Sequence, residues 1–83
     1  MYQIIFQSSA ERDFKKLPRD IQSRIIKKLE ELKLNPHFGI PLVGNLSGLW
    51  KLRVGDYRII YQIKNEELII LILKVGNRKN IYD

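Results

Sequence analysis

A lysine and two arginines near the middle of the chain have the types and spacing suited to chemistry on a phosphate group. Lys51 and Arg53 lie on one alternating segment and Arg58 lies on the next, with Gly55-Asp56 between them. Gly followed by Asp between two such segments is typical of a type II′ β-hairpin turn. That turn would place Arg53 directly opposite Arg58, with Cβ atoms about 5 Å apart. Opposed like charges are destabilising, so the hairpin predicts an anionic ligand, first of all a phosphodiester.

Two residues near the end of the sequence extend this cluster. Arg78 follows the next predicted strand, whose end should adjoin Arg58, and Tyr82 would follow along the same rim. Cleavage of RNA by its own 2′-hydroxyl needs a base, stabilisation of the phosphorane oxygens and an acid for the leaving group. Arginines are suited to electrostatic roles, and Lys51 to the base, because neighbouring cations favour a neutral lysine. Tyr82 can bind a hydroxyl or stack on a base.

The first half of the sequence predicts a strand and two helices. Tyr2–Phe6 is rich in β-forming residues, and Ser8 with Glu11 three residues later is a capping-box pattern that opens a helix running to about Lys16. Pro18 suits the first turn of a second helix, which Asn35-Pro36 closes. That second helix has one apolar stripe, formed by Ile21, Ile25, Leu29 and Leu32.

The second half predicts three strands after a loop from 37 to 47. Leu49–Val54 and Tyr57–Ile63 both alternate, and Leu68–Val75 is so aliphatic that it predicts a strand buried on both faces. The expected fold class is α+β: an N-terminal strand, a two-helix antiparallel hairpin and a three-stranded antiparallel meander. The helices should cover one face of the sheet and leave the face with Lys51, Arg53 and Arg58 open.

Composition narrows the function classes. The 83 residues predict a single domain, 1–83, and a net charge of +6 favours nucleic acid or an acidic partner. Without cysteine and with His37 as its one histidine, the chain predicts neither a metal site nor a cofactor. We expect a cytoplasmic protein, since no signal peptide or membrane segment is recognisable.

Ordinary structural interpretations remain open for each of these residues. Lys51 is also what a solvated sheet surface would carry, and loop carboxylates could separate Arg53 from Arg58. The segment containing Arg78 and Tyr82 could be an exposed tail. Trp50 and Tyr61 are predicted as core residues because they alternate with the charged positions, and His37 as a loop residue.

The hairpin and the tail resemble the RelE/ParE toxin superfamily of type II toxin–antitoxin systems. The hallmark is a Leu-x-Gly-x-aromatic-basic-x-Arg-x-Gly-x-Tyr-Arg hairpin, then an aliphatic strand, Gly-x-Arg and a Tyr. The matching residues are Leu46, Gly48, Trp50, Lys51, Arg53, Gly55, Tyr57, Arg58, Gly76, Arg78 and Tyr82.

Similarity to the RelE branch implies a ribosome-dependent endoribonuclease that cuts mRNA without metal. By position, Lys51 matches the residue that helps activate the 2′-hydroxyl, and Arg58 matches the phosphate-stabilising arginine. Arg78 matches the arginine that assists the leaving group, and Tyr82 the tyrosine that stacks on or orients the nucleotide. Arg53 stands where the RelE pattern has a second lysine, which favours Lys51 as the base.

The resemblance also leaves two alternatives and implies a partner. The ParE branch shares the fold but inhibits DNA gyrase and is not a nuclease; the full basic set favours RelE. An inactive RNA-binding or co-repressing module would bind without cutting. The expected partner is a cognate antitoxin with an acidic, amphipathic helical segment, in a heterotetramer or larger complex.

Overall fold

The sheet and the helices form two layers in a computed structural model that describes residues 1–77. Strand β1 is followed by helices α1 and α2, and then by strands β2 to β5, with short 3₁₀ turns on either side of β2. The bounds are β1 Gln3–Phe6, α1 Ser8–Lys15, α2 Arg19–Leu34, β2 Ile40–Pro41, β3 Leu49–Val54, β4 Tyr57–Lys64 and β5 Ile69–Asn77.

The sheet has five strands in the order β1-β5-β4-β3-β2. The antiparallel meander β3-β4-β5 and the α+β class are confirmed. The structure adds the two-residue strand β2, which lies inside the segment predicted as a loop. This strand pairs with Trp50 and Lys51 of β3. Strand β1 joins the far side of the sheet parallel to β5, with Gln3 opposite Ile69.

The helices begin at slightly different residues from those predicted. Ser8 is the first residue of α1 and not its cap, so the capping-box interpretation is wrong; Gln7 precedes the helix, and its carbonyl accepts the Glu11 N–H at 2.9 Å. Pro18 is the N-cap of α2 and its carbonyl accepts the Gln22 N–H at 3.0 Å. The Gln22 side chain also donates to the Leu17 carbonyl at 2.9 Å, which ties α2 to the short connection from α1.

The core lies between the helices and one face of the sheet. The predicted stripe of α2 is confirmed: Ile25, Leu29 and Leu32 are at most 2% exposed and Ile21 packs beside them. Burying each such side chain contributes roughly 1.5–3 kcal/mol relative to leaving it in water. The other buried members are Ala10, Leu52, Val54, Ile59, Tyr61, Ile70, Ile72 and Val75.

Strand β5 is buried on one face only, contrary to the prediction. Ile70, Ile72 and Val75 point to the core, while Lys74 is exposed and Leu71 is half-buried. Leu68 is left out of the strand because its φ of 57° belongs to the turn before it. The helices cover one side of the sheet, and aliphatic content does not reveal which side that is.

Candidate functional site

The β3–β4 hairpin has the register that the turn chemistry predicts. Val54 pairs with Tyr57 and Arg53 with Arg58. Gly55 has φ of +61°, whereas Asp56 is not among the residues with positive φ, as a type II′ turn requires. The turn therefore fixes which face of the sheet carries the arginines.

The face of the sheet that points away from the helices carries two transverse rows of residues. One row runs Arg53, Arg58, Gly76 across β3, β4 and β5, and the next runs Lys51, Ile60, Lys74. Lys51 and Lys74 lie on either side of Ile60. Since neighbouring strands are about 4.8 Å apart, the Cα atoms of the two lysines are about 10 Å from each other. We call Lys51, Arg53, Arg58 and Lys74 the basic face. Lys74 was not singled out from the sequence, although it is the one charge in an aliphatic strand and faces the same way as Lys51.

The side chains of the basic face differ in burial. Arg58 is 5% exposed, whereas Arg53 is exposed and Lys51 is half-buried. Packing around Arg58 therefore restricts the orientation of its side chain. Arg53 keeps more freedom because it lies at the sheet edge beyond the two residues that β2 covers.

Within the described part of the chain, no loop carboxylate pairs with Lys51 or Arg53. Within residues 1–77, neither Lys51 nor Arg53 takes part in an ion pair, so the proposed separation of the arginines by carboxylates is not found for Arg53. Among residues 1–77, the acidic side chains that form ion pairs lie in the helices, for example Glu11 with Lys15 and Glu30 with Lys33. Lys51 and Arg53 consequently contribute positive charge that suits an anion.

A buried tyrosine holds the loop before β2 close to Lys51. The Tyr61 hydroxyl donates to the Pro36 carbonyl at 2.8 Å and accepts the Gly39 N–H at 3.1 Å. Burial raises the pKa of Tyr61 above its ordinary value of 10.0, and the hydrogen bond from Gly39 opposes that rise. Gly39 lies so close that a Cβ there would be 2.5 Å from the Lys51 carbonyl oxygen. The loop before β2 is thereby pressed against strand β3 at Lys51.

The aromatic residues support the hairpin from the other face. Tyr61 is fully buried and Trp50 packs against the core, which confirms both as core residues. Their rings stack at 6.3 Å between centroids, and His37 meets Trp50 edge-on at 5.1 Å. Because Trp50 belongs to the helix-covered face, His37 contacts the aromatic residues behind the hairpin and not the basic face.

Two predicted site residues, Arg78 and Tyr82, lie outside the described residues. Strand β5 ends with Gly76 opposite Arg58 and Asn77 opposite Tyr57, so the last described part of the chain adjoins the basic face. Among residues 1–77, no cluster of three or more potential ligands from His, Asp and Glu could hold a metal ion. No helix in the same range is long and apolar enough to cross a membrane.

Comparison with known proteins places the chain in a family. Residues 4–82 match the family described as ParE toxin of type II toxin-antitoxin system, parDE. The chain belongs to the RelE/ParE toxin superfamily. The resemblance carried by the hairpin motif is thereby confirmed, and it extends over nearly the whole chain of this toxin.

Individual relatives of this RelE/ParE toxin lie on the RelE side. Toxin RelG of Mycobacterium tuberculosis is 35% identical over 98% of this chain and 95% of its own length. The mRNA interferase toxin RelE of Escherichia coli K12 is 26% identical over 94% of this chain and 84% of its own. The toxin–antitoxin complex RelBE2 of M. tuberculosis contains a chain that superposes with a TM-score of 0.85 at 34% identity, covering 93% of this chain and 98% of that chain.

Proposed function

We propose that this toxin is a metal-independent, ribosome-dependent endoribonuclease that cleaves mRNA in the cytoplasm. The observation that carries the proposal is the pairing of Arg53 with Arg58 beside Lys51 on the sheet face away from the helices. Within residues 1–77, no carboxylate forms an ion pair with Lys51 or Arg53. A relative is named an mRNA interferase, which supports the same activity here.

The reaction we propose is an internal transfer at one phosphodiester. The ribose 2′-oxygen forms a bond to phosphorus, and the bond from phosphorus to the 5′-oxygen breaks. The products are a 2′,3′-cyclic phosphate and a 5′-hydroxyl. The 2′-hydroxyl proton goes to a base, and the departing 5′-oxygen takes up a proton from an acid.

Residues are assigned to these steps by what each side chain can do. Lys51 is assigned as the group that accepts the 2′-hydroxyl proton, because the guanidinium groups of Arg53 and Arg58 stay protonated and an amine is the better proton acceptor. Arg58 stabilises the charge that develops on the phosphorane oxygens, which suits a buried and oriented guanidinium. Arg53 contributes further charge from the sheet edge. By resemblance, Arg78 assists the leaving group and Tyr82 orients or stacks on the nucleotide.

The same proposal includes a protein partner. The chain of similar fold from M. tuberculosis was solved in a toxin–antitoxin complex, and that likeness supports a cognate antitoxin for this toxin. An acidic, amphipathic helical segment would complement the net charge of +6 and cover the basic face. We propose a heterotetramer or larger assembly for the complex.

The test is induction of the chain in cells that lack its antitoxin, with mapping of mRNA 5′ ends. We expect new ends in phase with codons, and we expect Arg58→Ala to abolish them. Arg12→Ala is the matched control, because Arg12 is an exposed arginine on α1, away from the sheet. Unchanged cleavage in Arg58→Ala would refute the assignment, and RNA binding without cleavage in the unaltered protein would indicate the inactive module.

A second candidate function is inhibition of DNA gyrase. The matched family is described by its ParE members, which is the observation that favours it. In that case mRNA would stay intact on induction, while plasmid supercoiling would fall. Arg58→Ala would then leave growth arrest unchanged, so plasmid topology measured in the same cultures separates the two functions.

A further inference from the structure

A second basic cleft lies beside the β3–β4 turn, on the helix side of the sheet edge. It encloses about 350 Å³ between α2 and the hairpin. Four of the residues that line it are cations, and one is an acid. The lining consists of Arg24, Lys27, Lys28, Glu31, Arg53, Val54 and Gly55.

Three of these cations have no counter-ion within residues 1–77. The carboxylate in the cleft, Glu31, is paired with Lys28 at 3.6 Å, and Lys28 also lies 5.5 Å over the ring of Phe38. That pairing leaves Arg24, Lys27 and Arg53 without a partner. Three unpaired cations around one cavity raise the local potential and favour an anionic ligand.

Gly55 holds the guanidinium of Arg24 in the cleft. A Cβ on Gly55 would come within 2.9 Å of an Arg24 Nη atom, so the guanidinium lies directly over the turn. Gly55 also has φ of +61°, which residues with a side chain adopt only with strain. The glycine therefore serves the turn and makes room for Arg24 at the same time.

Arg53 belongs to both the cleft and the basic face. Strand β2 pairs with Trp50 and Lys51 and extends no further, so β2 does not cover the edge of β3 at Arg53. The Arg53 side chain can reach around that edge, since it also lines the cleft on the helix side. Arg53 thus lies between Lys51 and Arg58 on the sheet face away from the helices and Arg24 and Lys27 on α2.

We propose that the cleft of Arg24, Lys27 and Arg53 binds a backbone phosphate of the RNA strand next to the cleavage site. This inference rests on the proposed nuclease function and extends its substrate path beyond the scissile phosphate. A phosphodiester is favoured over an acidic helix because Val54 and Gly55 are the apolar part of the lining, which is too little to bury an amphipathic face. Guanidinium forks are matched to phosphate oxygens.

The test measures binding of a fluorescent single-stranded oligonucleotide with 2′-O-methyl riboses. This probe carries the phosphates of RNA but no attacking hydroxyl, so binding is observed whether or not the protein cleaves. The variant is Arg24→Gln/Lys27→Gln. The control is Arg12→Gln/Lys15→Gln, which removes the same charge from exposed positions of α1. Circular dichroism of both variants verifies that they fold.

The salt dependence of binding distinguishes the outcomes. For single-stranded nucleic acid, each lost phosphate contact lowers the slope of log K against log salt concentration by about 0.7. Because the proposed cleft holds one phosphate, we expect the slope to fall by about 0.7 in Arg24→Gln/Lys27→Gln and to change little in the control. Equal changes in both variants would overturn the proposal. So would an equal loss of affinity for an oligoglutamate peptide of the same net charge, which would make the cleft a site for acidic protein. Intact oligonucleotide binding without any cleavage of ordinary mRNA would instead count against the nuclease function alone.

Discussion

Gly39 is a position where one added methyl group would disturb the candidate site without altering any of its side chains. A Cβ at Gly39 would lie 2.5 Å from the Lys51 carbonyl oxygen and 2.5 Å from the Tyr61 hydroxyl. An ordinary contact begins at 3.4 Å, so strand β3 would have to move by about 0.9 Å at Lys51.

The expected result of Gly39→Ala is a loss of activity larger than its loss of stability would explain. A misplacement of about 1 Å in a reacting group lowers a rate on the order of 100-fold, so we expect mRNA cleavage to fall by about that factor. Overpacking of this kind lowers the free energy of unfolding by about 1–3 kcal/mol. Urea denaturation measures the second quantity, and primer extension on a reporter mRNA measures the first.

Gly44→Ala is the matched control. Gly44 has φ of +70°, but nothing lies within 4 Å of a Cβ built there. The substitution strains the backbone by about 1–2 kcal/mol and leaves strand β3 in place. Cleavage should therefore stay near normal while the protein is folded. If Gly39→Ala cleaves as well as Gly44→Ala at equal folded fraction, the loop does not position Lys51 and the reasoning is refuted.

The remaining predictions concern the support of the site and its core. Tyr61→Phe should lower the free energy of unfolding by about 1–3 kcal/mol at neutral pH, because Gly39 and Pro36 lose their hydrogen-bond partner. Burial raises the pKa of Tyr61, so the folded state keeps a proton that the unfolded state loses near pH 10. The free energy of unfolding of the wild type should therefore fall as the pH rises above about 10. The share of that fall that is due to Tyr61 should be absent in Tyr61→Phe. Trp50→Ala should cost about 3 kcal/mol in urea melts, and an unchanged midpoint would show that Trp50 does not support the hairpin. Ile25→Ala should cost about 2–5 kcal/mol in the same melts, with cleavage preserved wherever the protein remains folded.

Local chemistry explains why the sequence predicts the hairpin well. The alternation of Leu49–Val54 and the Gly55-Asp56 turn are both determined within a few residues, and together they fix the register that opposes Arg53 to Arg58. The apolar stripe of α2 is local in the same sense. These features account for the fold class and for the face on which the basic cluster lies.

The parts that the sequence does not predict depend on distant residues. Strand β2 has two residues, one of them Pro41, and exists because Ile40 meets Lys51 across the loop. The burial of Arg58 and the place of Lys74 depend on which face of the sheet the helices cover. The cleft at Arg24 requires α2 to pass over Gly55, which no short-range pattern contains.

The parallel pairing of β1 with β5 has a consequence for how the protein is made. Ile4 and Phe6 lie beside Ile70 and Ile72 in the sheet. Strand β1 is synthesised early but can pair only after β5 has been synthesised. Closing such a distant pair is a slow step of folding. A polypeptide interrupted before Ile69 lacks β5, the strand that joins β1 to the meander. Ribosomes that stall before β5 should therefore release harmless fragments, and growth arrest should require a chain that includes β5.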